Sequence, residues 1–209
     1  MANDWLTARR TEVAAEAILD AADRLFAKQD AATVGMLEIA RAAGCSRATL
    51  YRYFENRDAL YLAYVHRETF RVFSQVGERI ADVTDPCTRL LDGVTIALRE
   101  VRESPALSSW FAASQRPIGG EVAAQSDVIT GLIAAFLSAL WPGLDPKDAE
   151  RRANWLIRVM VSLLMFPGAD ERDERAMIEE FVVAQLVPAQ SPPLASGLSS
   201  VASLDQATQ

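Results

Sequence analysis

The sequence predicts an all-α protein of about nine helices, and its composition and periodicity both favour this class. Glycine and proline are scarce, with 10 and 9 residues in a chain of 209, and aromatic side chains make up only 8%. A turn-rich β architecture uses more of these residues. Apolar residues recur at three- and four-residue spacing, the periodicity of an amphipathic helix. Hydrophobic residues make up 50% of the chain, so a core can form without metals or disulfides.

Three short or medium helices are predicted near the N-terminus. The first covers Thr11–Lys28, where apolar and acidic residues take opposite faces. The second covers Met36–Ala43 and ends at Gly44, because glycine readily takes the left-handed conformation of a helix terminus. Ser46 is placed to cap a third helix that runs to about Phe54.

Capping residues also mark a long fourth helix and the helices after it. Asn56 is placed to cap the fourth, which continues to about Ala81. Cap-then-proline pairs favour a helix start. The later helices are predicted to begin at Asp85-Pro86, at Ser104-Pro105, at Glu121 with an end at Leu140, at Asp145-Pro146 with an end near Phe166, and at Asp170 with an end near Val187. From Pro188 onward the composition is that of a disordered tail.

Residues 39–54 carry the most specific chemical signal. Two short helices meet there at a Gly-x-Ser turn between Gly44 and Ser46, the arrangement of a helix-turn-helix. Leu50 and Phe54 lie four residues apart and are predicted to face inward. Hydrogen-bond donors, a methyl group and an aromatic ring are predicted on the outward side, from Arg47, Ala48, Tyr51 and Arg52. Such groups suit base edges and phosphates in the major groove of DNA.

The distribution of charge agrees with this interpretation. Residues 41–57 contain four arginines and one glutamate, although the whole chain has a net charge of −7. Positive charge is therefore concentrated on the predicted groove-reading helix, and the overall charge argues against attraction to an anionic membrane. The alternative is an ordinary helical hairpin with a solvated arginine face.

Over about Ala14–Tyr64 the chain resembles the TetR family of bacterial transcriptional repressors. The resemblance rests on the strings Ile39-Ala40-x-x-Ala43-Gly44, Ser46-x-x-Thr49-Leu50-Tyr51-Arg52-Tyr53-Phe54 and Asn56-Arg57-Asp58-x-Leu60. It implies a three-helix DNA-binding domain at residues 11–56. The long fourth helix joins it to a helical effector-binding and dimerisation domain at 57–187. A flexible arm at 1–10 and a disordered tail at 188–209 complete the predicted organisation.

The resemblance also implies roles for single residues. Arg47 and Ala48 fall on base-contacting positions, and Tyr51 on a position that contacts bases or phosphate. Thr49 and Tyr53 fall on phosphate-contacting positions, and Arg52 on a variable outward position. Arg57 replaces a usual lysine and keeps its phosphate-clamping charge. The predicted DNA-binding residues are thus Ser46, Arg47, Ala48, Thr49, Tyr51, Arg52, Tyr53 and Arg57.

Departures from the family pattern concern the turn and the second helix. Cys45 stands where valine is usual, as a small buried hydrophobe or, alternatively, a redox sensor. Gly35 stands where the family often has a capping threonine, and Leu37 where it often has a polar DNA-facing residue. One phosphate contact is therefore in question.

In the TetR family the C-terminal helices enclose an effector pocket and form a dimer. We therefore expect a cavity for an apolar or amphipathic molecule, although helically spaced aromatic residues also suit a packed core. The predicted lining is Phe70, Phe73, Leu91, Leu98, Trp110, Phe111, Arg116, Phe136 and Trp141, with Arg116 alternatively a solvated loop charge. The last two helices are expected to form a homodimer through Trp155, Val159, Ser162, Leu163, Phe166, Met177, Phe181 and Ala184. The dimer would bind palindromic double-stranded DNA.

An enzyme is not predicted, because convergent reactive groups are missing from the sequence. His66 is the one histidine, and no zinc spacing, phosphate loop or nucleophile elbow is present. No cofactor, metal or membrane partner is therefore expected. Two cysteines and no secretory segment predict a cytoplasmic protein. The competing functional hypothesis is a helical ligand-binding or scaffold protein without DNA binding.

Overall fold

The computed structural model describes residues 4–111, 120, 122–123 and 126–188, and the regular elements within these ranges are all helices. The all-α prediction is confirmed. In chain order the elements are α1 (Asp4–Phe26), α2 (Met36–Ala42), α3 (Arg47–Tyr53), α4 (Arg57–Arg79), α5 (Pro86–Glu103), α6 (Pro105–Ser108), α7 (Asp127–Leu140), α8 (Pro146–Met165), α9 (Glu171–Met177), a π-helical segment (Ile178–Val183) and α10 (Ala184–Leu186).

Side-chain caps form most of the predicted helix starts. In each case a serine, asparagine or aspartate oxygen accepts a backbone N–H of the first helical turn, which has no partner within the helix. The capping residues are Ser46, Asn56, Asp85, Ser104, Asp145 and Asp170. The short local signals in the sequence therefore located these starts correctly.

Three boundaries differ from the prediction. α1 begins at Asp4, inside the predicted flexible arm, because the residues before Thr11 include good helix formers and no breaker. The helix predicted from Glu121 is interrupted at Ser126, which has an extended backbone with ψ of 108° and caps Ile129 at the start of α7; Gly120, Val122 and Ala123 are helical, and Glu121 itself lies outside the described residues. The single last helix that we predicted contains a π-helical stretch. The predicted tail lies outside the described residues, apart from Pro188.

The helices enclose two hydrophobic cores that share α4. The first core joins α1, α2 and α3 to the inner face of α4 and includes Phe26, Ile39 and Leu50. The second joins α5, α7, α8 and the π-helical segment, with Val65 and Phe73 of α4 packed against it. A shift of α4 would therefore change the packing of both cores.

Most of α7 belongs to the charge-free run Val128–Leu144, and the helix packs against α8. Its buried residues include Ile133 and Leu137, as expected of a core helix. Among the described residues, no helix combines the length and the apolar character that crossing a bilayer requires.

Candidate functional site

The turn between α2 and α3 fixes the direction of α3. Gly44 has a φ of +68°, a conformation that residues with a Cβ rarely adopt. The Oγ of Ser46 then accepts the backbone N–H of Thr49 at 3.0 Å and caps α3. Leu50 is fully buried in the first core, so the opposite face of α3 points outward.

That outward face presents two arginines. Arg47, Ala48, Tyr51 and Arg52 are all exposed, as predicted. The Arg47 guanidinium lies 5.3 Å from the centroid of the Tyr51 ring. The Arg52 guanidinium lies 5.2 Å from the Tyr53 ring and donates to its hydroxyl at 3.3 Å. Within the part of the chain that the structure describes, neither arginine is paired with a carboxylate. Their donors remain available to an external acceptor.

The remaining polar residues of α3 lie at its edges. The Oγ of Ser46 and the Oγ1 of Thr49 are 2.9 Å apart, and the Ser46 oxygen is already engaged as the cap. Thr49 and Tyr53 are half-buried. The two hydroxyls on Thr49 and Tyr53 therefore border the exposed arginine face, while Ser46 mainly holds the helix in place.

Arg57 was predicted as a phosphate contact, but its guanidinium also makes hydrogen bonds within the protein that the sequence did not predict. Its Nη2 donates to the carbonyl oxygen of Ala31 at 3.1 Å and to that of Ala32, and its Nε donates to the Tyr61 hydroxyl at 2.7 Å. Burial raises the pKa of Tyr61, and the hydrogen bond from Arg57 partly opposes this rise. Arg57 thus ties the start of α4 to the loop between α1 and α2.

The departures at α2 and at the turn have visible consequences. Gly35 begins α2 without a side-chain cap, as its lack of a side chain requires. Leu37 is 46% exposed, and its aliphatic side chain offers no hydrogen bond. Cys45 is half-buried against the first core, which fits the small-hydrophobe interpretation.

A cavity of about 200 Å³ lies between α4, α5, α7 and α8. Four of the predicted lining residues border it: Phe73, Trp110, Phe111 and Phe136. Four others do not border it: Phe70, Leu91, Leu98 and Trp141. Phe70 is 53% exposed, whereas the others pack in or against the second core. Arg116 lies outside the described residues. The prediction was wrong for Phe70, which faces solvent; for the other described residues helical spacing indicated that they face inward but not which interior space they border.

Sequence reasoning missed Glu68, which borders the cavity although it is charged. Glu68 is only 5% exposed, and its carboxylate accepts from Arg67 at 3.1 Å and from Arg71 at 2.7 Å. It lies four residues after Tyr64 on the buried face of α4. A glutamate inside that apolar stripe was the signal that could have identified it.

Trp110 lies in an aromatic cluster between the cavity and the first core. Its ring stacks on that of Tyr64, with centroids 5.4 Å apart, and makes edge contacts with Phe26 and Tyr61 at 5.3 and 4.9 Å. Phe26 is the last residue of α1, so the Trp110 side chain contacts the core of the helix-turn-helix as well as the cavity. Such offset and edge-on pairs stabilise a contact beyond the area that they bury.

Polar contacts also join α4 to α1. Arg67 lies 2.8 Å from the carboxylate of Asp20 and 3.3 Å from that of Glu16. The Tyr64 hydroxyl donates to Asp23 at 2.8 Å. Burial, together with the nearby Asp23 carboxylate, raises the pKa of Tyr64 well above its ordinary value. The buried Glu68 contacts Arg67 from the cavity side, which continues this network to the cavity wall.

The residues predicted for a dimer interface lie in and just after α8 and along the last helical stretch. Phe166 and Phe181 are 72% and 60% exposed. Ser162 and Ala184 are also exposed, whereas the half-buried members are Trp155, Val159, Leu163 and Met177. Single exposed apolar residues are normal on a protein surface, whereas a large contiguous apolar patch marks an interaction site.

His66 links two helices. Its Nε2 lies 2.9 Å from the Oγ of Ser126, the cap of α7. Burial lowers the pKa of His66, which favours the neutral ring. The histidine therefore connects α4 to the start of α7.

Comparisons with known proteins agree with the geometry. Residues 18–64 match the family described as Bacterial regulatory proteins, tetR family. The chain is 60% identical over 186 residues to an uncharacterized HTH-type transcriptional regulator of Mycobacterium tuberculosis, Rv1255c in strain H37Rv, and the match covers 89% of this chain and 92% of that relative.

Among solved structures, the chain is similar to the TetR family repressor AlkX from Dietzia sp. strain DQ12-45-1b, with a TM-score of 0.63 and 23% identity over 81% of this chain and 93% of that one. It is also similar to RolR in complex with resorcinol, with a TM-score of 0.64 and 18% identity over 88% and 91% of the two chains. At these identities the likeness concerns the fold. The helix-turn-helix geometry, the family match and the close full-length relative together show that the chain belongs to the TetR family of DNA-binding transcriptional regulators.

Proposed function

We propose that the protein binds a palindromic operator as a homodimer, represses transcription there, and is released when a small apolar or amphipathic effector occupies the cavity. The observation that carries this proposal is the position of α4. Its first turn is tied to the helix-turn-helix by Arg57, and its middle borders the cavity through Glu68 and Phe73. One helix therefore has contacts with both the helix-turn-helix and the cavity.

In this proposal the exposed face of α3 enters the major groove. Arg47 donates to a base edge, Ala48 meets a methyl group, and Tyr51 contacts a base or a phosphate. Arg52, Thr49 and Tyr53 lie beside the DNA backbone, while Ser46 keeps the helix start in register. Arg57 acts chiefly by holding the α1–α2 loop, with its Nη1 donors left for a phosphate. The exposure of Arg47 and Arg52 supports this arrangement.

We further propose that the exposed apolar residues of the last helices pair across a two-fold axis. Phe166 and Phe181 would be covered by the same face of a second copy, together with the half-buried Trp155. A two-fold dimer presents two copies of α3 at a spacing of roughly 34–36 Å or a multiple of it, one turn of DNA, and therefore requires a palindromic site.

The cavity sets the size of the effector. An engineered cavity of about 150 Å³ holds benzene, so the 200 Å³ observed here suits a molecule of on the order of eight to ten non-hydrogen atoms. An effector that prefers the DNA-incompetent arrangement of α4 about 100-fold shifts the equilibrium by about 2.7 kcal/mol. A free-energy shift of this size releases the protein from an operator that it occupies only moderately.

The domain division follows from the same proposal. Residues 11–56, together with the helical residues before them, form the DNA-binding unit, and 57–187 form the effector and dimerisation unit. The boundary between the two units falls at the start of α4. The helix itself packs in both cores. Operator binding assigns the protein to the bacterial cytoplasm, where the chromosome lies.

Selection of bound sequences from random duplex DNA with the purified protein tests the proposal. Enrichment of a palindrome with half-sites about one helical turn apart is expected. The Arg151→Ala variant is a matched control, since Arg151 is exposed on α8 and forms an exposed ion pair with Asp148; it should select the same sequence. Failure to enrich any sequence would contradict operator binding and favour a ligand-binding protein without DNA affinity.

A further inference from the structure

Each exposed arginine of α3 lies against a tyrosine, but the two pairs differ. The guanidinium carbon of Arg47 lies 5.3 Å from the centroid of the Tyr51 ring, and that of Arg52 lies 5.2 Å from the Tyr53 ring. Arg52 also donates to the Tyr53 hydroxyl at 3.3 Å. Within the described part of the chain, no such hydrogen bond joins Arg47 to Tyr51. The Arg47 contact therefore uses the ring of the tyrosine and not its hydroxyl.

Helix geometry explains why Arg47 and Tyr51 meet. The two residues are four apart on α3, the spacing of neighbours on one helix face. A helical side chain lies over the turn that precedes its own Cα, so the Tyr51 ring extends toward Arg47. Both residues are exposed. The contact therefore lies on the face of α3 that is proposed to enter the major groove.

The positions of the two arginines along α3 also differ. Arg47 is the first residue of the helix, and Arg52 belongs to its last turn. The helix dipole disfavours a cation in the first turn and favours one in the last. In a helix-turn-helix, the N-terminal residues of the recognition helix contact base edges. Helix stability thus explains a cation at Arg52 but not at Arg47, whose position suits a base contact.

We propose that Tyr51 is a positioning residue, whose ring holds the guanidinium of Arg47 ready to donate to a guanine. This inference rests on the proposed operator binding and specifies how one base pair of each half-site is recognised. Guanine accepts two hydrogen bonds from one arginine, at O6 and N7. Ordering a flexible arginine side chain opposes binding. A ring that restricts Arg47 before DNA arrives reduces this cost.

A positioned arginine increases discrimination between sequences as well as affinity. On the preferred site, Arg47 must be ordered to form both hydrogen bonds with guanine. On a site with another base pair, Arg47 cannot form these two bonds and need not be ordered. Loss of the Tyr51 ring therefore weakens the preferred site and leaves the substituted site nearly unchanged. A contact between a cation and an exposed ring changes an equilibrium about two- to fivefold.

Competition binding of the full-length protein to the selected palindrome tests the proposal. The base pair at which Arg47→Ala loses discrimination is replaced in one half-site, and the ratio of the two affinities is measured. We expect Tyr51→Leu to lower this ratio about two- to fivefold. Tyr51→Phe keeps the ring and should keep the ratio. In the Arg47→Ala background, Tyr51→Leu should change the ratio no further, because the two residues act through one contact.

Two further variants serve as controls. Phe70→Leu removes an exposed ring from α4 and should leave both affinities unchanged. Arg52→Ala removes the other exposed arginine of α3 and should weaken both duplexes alike, without changing their ratio. Circular dichroism checks that Tyr51→Leu is folded, as expected for a substitution at an exposed position.

Three binding outcomes would overturn the inference. An unchanged ratio in Tyr51→Leu would make the ring dispensable, and an equal loss in Tyr51→Phe would assign the effect to the hydroxyl. A uniform loss of affinity in Arg47→Ala would leave no base pair that depends on Arg47.

A measurement without DNA decides if Tyr51→Leu does not fold. In the NMR spectrum of the free wild type, the side-chain protons of Arg47 should show ring-current shifts, and their absence would overturn the inference. Selection of no sequence by the wild type would instead contradict the proposed operator binding itself, and the inference with it.

Discussion

The ring of Trp110 stacks on the ring of Tyr64, with 12° between the planes. Because Trp110 borders the cavity and Tyr64 donates to Asp23 of α1, a single pair of side chains connects the cavity to the first helix of the helix-turn-helix unit. Communication between the two sites therefore requires no long chain of intermediate contacts. It requires only that the cavity occupant favours one position of this pair.

Trp110→Ala should impair folding stability as well as effector response. Truncating a fully buried aromatic residue leaves a cavity, and such changes cost about 3–5 kcal/mol of unfolding free energy. Urea unfolding measures this loss. Trp141→Ala, at a half-buried position, should cost less. Equal losses at the two positions would contradict the role given to the aromatic cluster of Phe26, Tyr61, Tyr64 and Trp110.

Arg47→Ala should reduce sequence discrimination at one position of each half-site. Loss of an arginine that contacts a base edge removes about 1–3 kcal/mol of discrimination. Competition binding with operators mutated one base pair at a time measures this effect. Arg151→Ala should leave all the affinities unchanged. A uniform loss across all operator variants would assign Arg47 to the DNA backbone instead.

Arg57→Lys should destabilise the DNA-binding unit although it keeps the charge. A lysine ammonium is a compact point charge and cannot reproduce the forked contacts to Ala31, Ala32 and Tyr61, so we expect a loss of about 1–3 kcal/mol in unfolding free energy. Arg52→Lys is the comparison, since Arg52 is exposed on α3. If Arg57→Lys is as stable as the wild type while Arg57→Ala flattens the salt dependence of DNA binding, Arg57 is mainly a phosphate contact.

Phe166→Asp and Phe181→Asp should each convert the proposed dimer to a monomer. A charged side chain at the centre of an apolar interface loses its hydration without gaining a partner. Sedimentation velocity at micromolar protein measures the change in mass. Phe70→Asp is the matched control, because Phe70 is an exposed phenylalanine on α4 outside the proposed interface. A monomeric wild type, or a dimer that tolerates both aspartates, would contradict this interface.

The ion pair between Arg102 and Glu174 should make the stability fall in acid. The hydrogen bond from Arg102 lowers the pKa of Glu174, although burial opposes this effect. A lowered pKa in the folded protein gives stability that is fully present above the unfolded value of about 4.3 and disappears as the pH falls through the folded value. Near neutral pH, Glu174→Gln should therefore be less stable by about 1–3 kcal/mol.

Urea unfolding of the wild type and Glu174→Gln at several pH values measures this difference. The difference in unfolding free energy between the two proteins should be constant near neutral pH and should narrow below a pH of about 4. Asp148→Gln is a control, since Asp148 forms an exposed pair with Arg151, and exposed pairs contribute little. A gap that is independent of pH would show that the Glu174 charge does not stabilise the fold.

Local signals made much of the fold predictable. Gly44, Ser46 and Asn56 act within a few residues of their own position, so the turn and the starts of α3 and α4 were visible in the sequence. The outward face of α3 followed from the burial of Leu50, four residues before Phe54. Each of these inferences needed only helix geometry and capping chemistry.

Contacts between distant residues could not be predicted. The bonds from Arg57 to Ala31 and Ala32 depend on where the α1–α2 loop lies, which no periodicity reveals. Leu91 and Leu98 were correctly expected to face inward, but helical spacing does not say whether they meet the cavity or a packed core. The location of Glu68 on the cavity wall likewise became clear only from the packing of α4.

The salt dependence of operator binding tests the central claim most directly. If two copies of α3 bind a palindrome through about three to four phosphates each, the logarithm of affinity should fall against the logarithm of salt concentration with a slope of magnitude roughly 5–7. The selected palindrome and a single half-site should be titrated in parallel, and the half-site should give a smaller slope. A flat response on the palindrome would contradict DNA recognition by the exposed arginine face of α3.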